Sequence, residues 1–308
     1  MNGILILARK EVKTAFRDNI FLIITLLFVL LSVVSVYIGA STKNAELRAY
    51  QDIVQLIQSQ GSTNIPSPPE IFPLSVLSNI VSYVSMIGAV VAIFLGFDSF
   101  SGERNSGTLK LIAVRPVYRD QIVSGKLAGA AMVIGGLLGI VLIFNLILFI
   151  LVSGITPTGN EIARLLTFFL LAFIYMMAFY ASTLYVSLRT NNSAFGFMLM
   201  MIIWVTISFV LPQLADSQRN FAYALNNTAQ TITQVPSDTV ISKAIEIFSP
   251  AAQFQNVGRD LLQVVPETAN IGIGKLILGQ ISAIIEILIP GIMVVLLSYK
   301  AAQKEDVI

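Results

Sequence analysis

The chain has 308 residues, 56% hydrophobic and 12% charged, where an average soluble domain carries roughly 25% charged residues. Its mean hydropathy of +0.81 leaves too few polar groups to cover a water-soluble surface, so the composition is that of an integral membrane protein. With no Cys and no His it cannot form disulfides, thiol nucleophiles, His-containing triads or thiolate and imidazole metal centres, and a net charge of +2 gives no basis for binding nucleic acid.

The first element is a helix over residues 3–18. Ile4, Leu5, Ala8, Val12, Ala15 and Phe16 recur at steps of three and four, and Arg9, Lys10, Lys13 and Arg17 take the other side. That periodicity predicts a basic amphipathic helix lying in the membrane interface, its cations anchored on anionic headgroups of the bilayer.

Six apolar stretches then match the roughly 20 residues that a helix needs to cross about 30 Å of hydrocarbon: 20–40, 74–97, 129–153, 165–188, 194–214 and 276–298. Lipid offers main-chain groups no water, and the runs lack β-barrel alternation, so each reads as a helix. The first exceeds the apolar core of a cleaved signal, about 7–15 residues, and reads as a permanent span. Six spans place both termini on one side. Lys and Arg decide which side that is. One set of segments holds Arg9, Lys10, Lys13, Arg17, Arg104, Lys110, Arg115, Arg119, Lys126, Arg189, Lys300 and Lys304, or 12 of the 19 cations. The opposite set spreads the other seven over many more residues. Both termini and the 98–128 loop are therefore expected in the cytoplasm. Segments 41–73 and 215–275 are expected outside, with a short turn at 154–164 between them.

The loop between spans two and three is the most informative stretch. Gly107 and Thr108 can open a short helix, Leu109, Leu111 and Ile112 give it apolar groups, Pro116 stops it, and Arg119 with Asp120 starts the next one. Physical reasoning leaves two readings open: a docking surface for another protein, or a helix resting on headgroups. Further along, Gly135 and Gly139 form a G-x-x-x-G in the third span, read as a close contact inside the chain with a dimer face as the alternative. Segment 215–275 reads as helical patches at 217–232, 239–248 and 250–265, punctuated by Pro236, Pro250 and Pro266. Glu286 falls near the middle of the last span, where a charge costs about 2.5–3.5 kcal/mol. Glu286 and Pro290 one turn later are candidates for a translocation path. The plainer reading is a protonated carboxyl bonded across the bundle.

The string E-R-x-x-G-T-L, then Pro, Arg and Gly-Lys, is carried by Glu103, Arg104, Gly107, Thr108, Leu109, Pro116, Arg119, Gly125 and Lys126. It resembles the signature of ABC-2-type transporter permeases of the NosY/NatB-like exporter group. The amphipathic first helix, the six spans and the helical segment before the last one are similar too, although only the loop is motif-specific. The resemblance implies an all-α integral membrane fold of a single permease domain, with a coupling helix between spans two and three that sits in a groove of a separate ATPase. Leu109, Lys110, Leu111 and Ile112 would dock there, oriented by Glu103 and Arg104 and framed by Gly107, Thr108, Pro116 and Arg119. It further implies two P-loop ATPase subunits holding ATP and Mg, a second permease copy, and a plasma (inner) membrane location. The chain itself would bind no cofactor or metal and have no catalytic residues. Gly125-Lys126 and Gly274-Lys275 are each followed by Leu and lack the upstream glycine of a P-loop. The long first outer segment departs from a minimal permease and leaves room for an extracytoplasmic protein partner. Two alternatives stay open: an ion-gradient-driven transporter using Glu286, which would show inverted repeats and several intramembrane charges, and a non-transporting scaffold.

Overall fold

A computed structural model describes residues 2–17, 19–60, 72–105, 119–153, 156–190, 192–226 and 231–303. Helix α1 (Asn2–Arg17) is followed by Asn19, whose φ of 55° is left-handed. Asn accepts that conformation better than most residues, and the chain turns there into α2 (Ile20–Ser59). Forty helical residues reach about 60 Å, twice the hydrocarbon thickness. The helix runs on past residue 40, where the expected span ends, because 41–59 has neither Gly nor Pro and is rich in Ala, Leu, Glu, Lys, Gln and Arg. Lys43 and Glu46 add an ion pair at 3.0 Å. The proline-rich stretch NIPSPPEIFP at 64–73 lies mostly outside the described residues.

A 3₁₀ segment, Pro73–Leu77, leads into α3 (Ser78–Tyr83), a π turn at Val84–Gly88 and α4 (Ala89–Asn105), which together form the second span. The 3₁₀ backbone lies directly on Gly39 of α2, where a Cβ would sit 2.2 Å from the Val76 carbonyl oxygen. Helices α5 (Arg119–Ser153) and α6 (Gly159–Arg189) are the third and fourth spans. Thr158 and Glu161 cap α6 reciprocally: the Glu161 N–H donates to Thr158 Oγ1 and the Thr158 N–H to Glu161 Oε2. The fifth span joins α7 (Ser193–Val205), a second π turn at Thr206–Val210 and α8 (Leu211–Ser217).

Strands β1 (Asn220–Asn226) and β2 (Thr231–Ser237) then pair antiparallel, with Asn220 opposite Ser237. This corrects the helical reading of 217–232. The stretches NFAYALN and TITQVPS are rich in aromatic and β-branched residues and offer no continuous helical stripe. Helices α9 (Val240–Ile247), α10 (Pro250–Leu261), α11 (Pro266–Ala269) and α12 (Ile273–Gly279) follow, and α13 (Ile281–Ala302) is the last span. That span starts later than the expected residue 276 because the chain breaks at Gly279–Gln280, and the Gln280 amide there donates to the Asp260 carboxylate.

Six helical stretches among the described residues are long and apolar enough to cross a membrane. The fold is thus an all-helical six-span bundle carrying one small hairpin. Helix α6 is its axis, packed against α4, α5, α7, α10 and α13. Phe168, Tyr175, Met176, Tyr180 and Leu184 on α6 are buried at the centre. Apolar side chains on the bundle exterior, such as Leu22, Leu26, Ile202, Ile289 and Met293, are exposed. In a membrane protein that belt faces lipid.

Candidate functional site

Residues 106–118 connect α4 to α5. The loop's docking candidates Gly107, Thr108, Leu109, Lys110, Leu111, Ile112 and Pro116 lie outside the described residues. Glu103 and Arg104 fall in the last turn of α4, and Arg119 opens α5. Away from that loop, α4 and α5 are tied together. Lys126 on α5 donates to the hydroxyl of Ser99 on α4 at 3.0 Å and to the Ser99 carbonyl. The same ammonium donates to Glu11 Oε1 on α1 at 3.1 Å, while Ser99 donates to Glu11 Oε2 at 3.0 Å. Tyr180 on α6 completes the cluster, donating to the Ser99 hydroxyl and the Lys126 carbonyl, each at 3.3 Å. The Lys126 and Glu11 side chains are 3% and 15% exposed. Two charges so shielded persist because they neutralise each other and have further hydrogen-bond partners.

Four helices therefore meet at one polar clamp at the root of the loop. A fifth, α13, is held beside it. Tyr299 and Ser124 share a hydrogen bond at 2.8 Å, and Gln303 donates to Asp120 at 3.4 Å. In a low-dielectric interior such a cluster stiffens the junction of the helices it joins.

Helix α1 reaches the clamp because α5 has glycines where the two helices cross. A Cβ on Gly125 would sit 2.6 Å from Leu7 Cβ, and one on Gly129 would sit 2.6 Å from Glu11 Cβ. Of the Gly135 and Gly139 pair, a methyl at Gly135 would meet only the Phe173 ring, at an ordinary 3.7 Å, and one at Gly139 nothing within 4 Å among the described residues, so the tight intrachain approach on α5 is made at Gly125 and Gly129 instead. The surface of α1 divides in three rather than two. Ile4, Leu7, Ala8, Glu11 and Ala15 turn toward α5, Leu5 (65% exposed) and Phe16 (57% exposed) form an apolar flank, and Arg9, Lys10, Lys13 and Arg17 fill the rest. The four cations do share one exposed sector. Glu11 was not among the sequence candidates, yet its position carried a signal: it follows Ala8 by three residues and precedes Ala15 by four, so it stands on the apolar stripe.

At the opposite end of the bundle a different cation does the tying. Arg164, near the start of α6, is 0% exposed. Its guanidinium donates to the carbonyls of Asp260 (3.0 Å), Thr268 (2.8 Å), Ala269 (3.0 Å) and Ile271. This bolts the segment between spans five and six onto the bundle. Glu286 lies not at mid-span but in the second turn of α13, since that helix begins at Ile281. Its Oε2 is buried and accepts no hydrogen bond among the described residues. Pro290 lies within α13 and is exposed, and Gly291 beside it lets α13 approach Ala178 of α6, where a Cβ would be 3.0 Å away. Pro290 stands beside the Gly291–Ala178 contact, two residues along α6 from Tyr180, and Glu286 one turn further from the end of α13 that carries Tyr299.

Residues 5–307 match the family model described as ABC-2 family transporter protein. The chain is 29% identical over 134 residues to a protein of Stutzerimonas stutzeri named "Probable ABC transporter permease protein NosY", covering 44% of this chain and 41% of that one. It is 27% identical over 128 residues to a protein of the same name from Pseudomonas aeruginosa, covering 42% and 38%. The chain thus spans about two fifths of the length of the curated relatives it matches. The family match is far longer and takes in all six spans, the loop and the clamp beneath it: the chain belongs to the ABC-2 family of transporter proteins and is a multi-pass membrane protein.

Proposed function

We propose that this chain is the membrane-spanning permease subunit of an ATP-driven exporter, powered by a separate P-loop ATPase that docks on the loop 106–118. The observation that carries the reading is the clamp of Glu11, Ser99, Lys126 and Tyr180 at the base of that loop. A loop pushed by a partner needs stiff legs, and a displacement there passes through the clamp into α1, α4, α5 and α6 together. Leu109, Lys110, Leu111 and Ile112 are the docking residues, and Glu103 and Arg104 set the loop's direction. Two permease copies would work with two ATPase copies that hold ATP and Mg. The basic sector of α1 would rest on the cytoplasmic face of the inner membrane, with both termini on that side. The family match supports a transporter subunit, and the printed names of the two relatives support a permease. Glu286, with its unpartnered oxygen, would contact the transported species, and the long extension of α2 would receive a protein partner outside.

The experiment is to purify the chain gently from its native membrane and identify what accompanies it. A stoichiometric P-loop ATPase is the expected companion. Because the chain has no Cys, a single cysteine at Leu109 or Leu111 should then crosslink to that subunit. A chain that runs alone, in a detergent that preserves other ABC complexes, would overturn the reading.

A further inference from the structure

Spans two and five each contain one π turn, Val84–Gly88 and Thr206–Val210. A π turn takes in one residue more than a regular helical turn, and main-chain groups around it lose their ordinary partners. Inside a membrane those groups must be satisfied by protein. Here both turns are satisfied from outside their own helices. Tyr175 on α6 donates to the Ser85 carbonyl at 2.8 Å. Ser249, the N-cap of α10, donates to the Ile207 carbonyl at 2.7 Å. Gln255, on α10 itself, donates to the Ser85 hydroxyl at 3.0 Å. Ser208, in the second turn, is buried next to the Tyr175 hydroxyl but out of hydrogen-bonding geometry.

The same helix thus grips both turns. Phe254 of α10 stacks on the Tyr175 ring at 4.6 Å and 19°. Gly258, one turn on, brings α10 against Val81 just before the first π turn, a Cβ there lying 2.9 Å from Val81 Cγ1. The turns also cut each span in two. Pro73–Tyr83 and Leu211–Ser217 are short pieces at the far end, away from the loop. Helix α10 is tied to the last span through Asp260 and Gln280, so movement of α13 reaches it.

We propose that Tyr175, Ser249 and Gln255 form a latch that holds spans two and five in their π-turned conformation, and that a tilt of the N-terminal part of α10 about its Arg164-held end during the transport cycle releases both spans to regular helix and opens the far end of the path. Loss of one extra residue from a turn rotates everything beyond it by about 100° and shifts it by about 1.5 Å. The short far-end pieces would turn by that amount while α4 and α7 stay in place. This inference rests on the permease reading.

The test uses the lack of native cysteine. Ser208→Cys supplies the sole thiol, at a buried position that makes none of the latch bonds. In the complex with its ATPase, reconstituted in lipid, the labelling rate by a small water-soluble maleimide is read without nucleotide and after vanadate trapping. Slow labelling without nucleotide, and at least a tenfold rise on trapping, is the expected result. Tyr175→Phe keeps the ring stack and removes only the donor to the first turn, and Ser249→Ala removes the donor to the second; either should raise the nucleotide-free rate toward the trapped one. A complex that hydrolyses ATP and traps vanadate, yet labels equally in both states, would sink the latch and leave the permease reading standing. Were no ATPase to join the chain, the permease reading would fail first. An unchanged rate in both variants, with the protein still monodisperse, would overturn the latch in either setting.

Discussion

The two ends of the bundle are held by opposite kinds of bond. At the loop end a cation meets a carboxylate on another helix, Lys126 with Glu11, and every tie in the clamp runs through at least one side chain that can exchange partners. At the far end Arg164 meets four main-chain carbonyls spread over residues 260–271. Carbonyls are fixed by the path of the chain, so the far-end bolt defines a fold. The clamp joins separate helices and can carry a displacement between them. What differs is the partner rather than the strength of the cation.

That contrast can be broken at its strong end first. Arg164→Met should take a buried donor from four carbonyls, of which Asp260, Thr268 and Ala269 keep a second one, and cost on the order of 4 kcal/mol. Thermal unfolding should fall sharply, with proteolysis starting between residues 260 and 271. Arg164→Lys should rescue only part of this, since an ammonium has three donors and no planar fork. At the loop end, Lys126→Met alone should cost about 3–5 kcal/mol by stranding Glu11. Adding Glu11→Leu should restore most of that stability, because an apolar pair replaces a buried ion pair at little cost. It should not restore stimulation of the proposed ATPase partner, which is the readout that separates coupling from folding. Recovery of both together would reduce the clamp to a packing device.

The glycines sharpen the comparison at a smaller scale. Gly129→Ala should cost about 1–3 kcal/mol by overpacking against Glu11 and the Ala8 carbonyl. Gly139→Ala on the same helix should be neutral or stabilise by up to about 1 kcal/mol. Paired melting curves of the two variants would decide it. Lys43→Ala on the exposed part of α2 should change stability by no more than about 0.5 kcal/mol, as exposed i,i+3 pairs do.

The spans were legible because twenty apolar residues in a row leave few physical options, and the loop was legible because its motif is specific. Other features were hidden for identifiable reasons. Lys126 counted as one cation in an orientation argument and as one letter of a motif, while its partner lies 115 residues away on α1. Only Glu11's place on the apolar stripe hinted that the helix turns that carboxylate toward protein. Gly125 and Gly129 carry the same spacing as Gly135 and Gly139, and spacing alone does not say which pair meets a neighbour. The hairpin was masked because NFAYALN supports either a weak helix or a strand, and pairing with TITQVPS decides between them. Glu286 seemed central only because the break at Gly279–Gln280 is stabilised by a residue of α10 that sequence does not place nearby.

The length of α2 has a mechanical consequence. Beyond Ala40 the helix continues for about 30 Å without a break. A rod of that reach works as an arm: a tilt of about 10°, well within what membrane helices adopt, would swing its tip by roughly 5 Å. Its near end is jointed at Asn19 to α1, which the clamp ties to the base of the loop. Small angular input at one face of the membrane would thus emerge, geared up, as a sweep some 30 Å above the other.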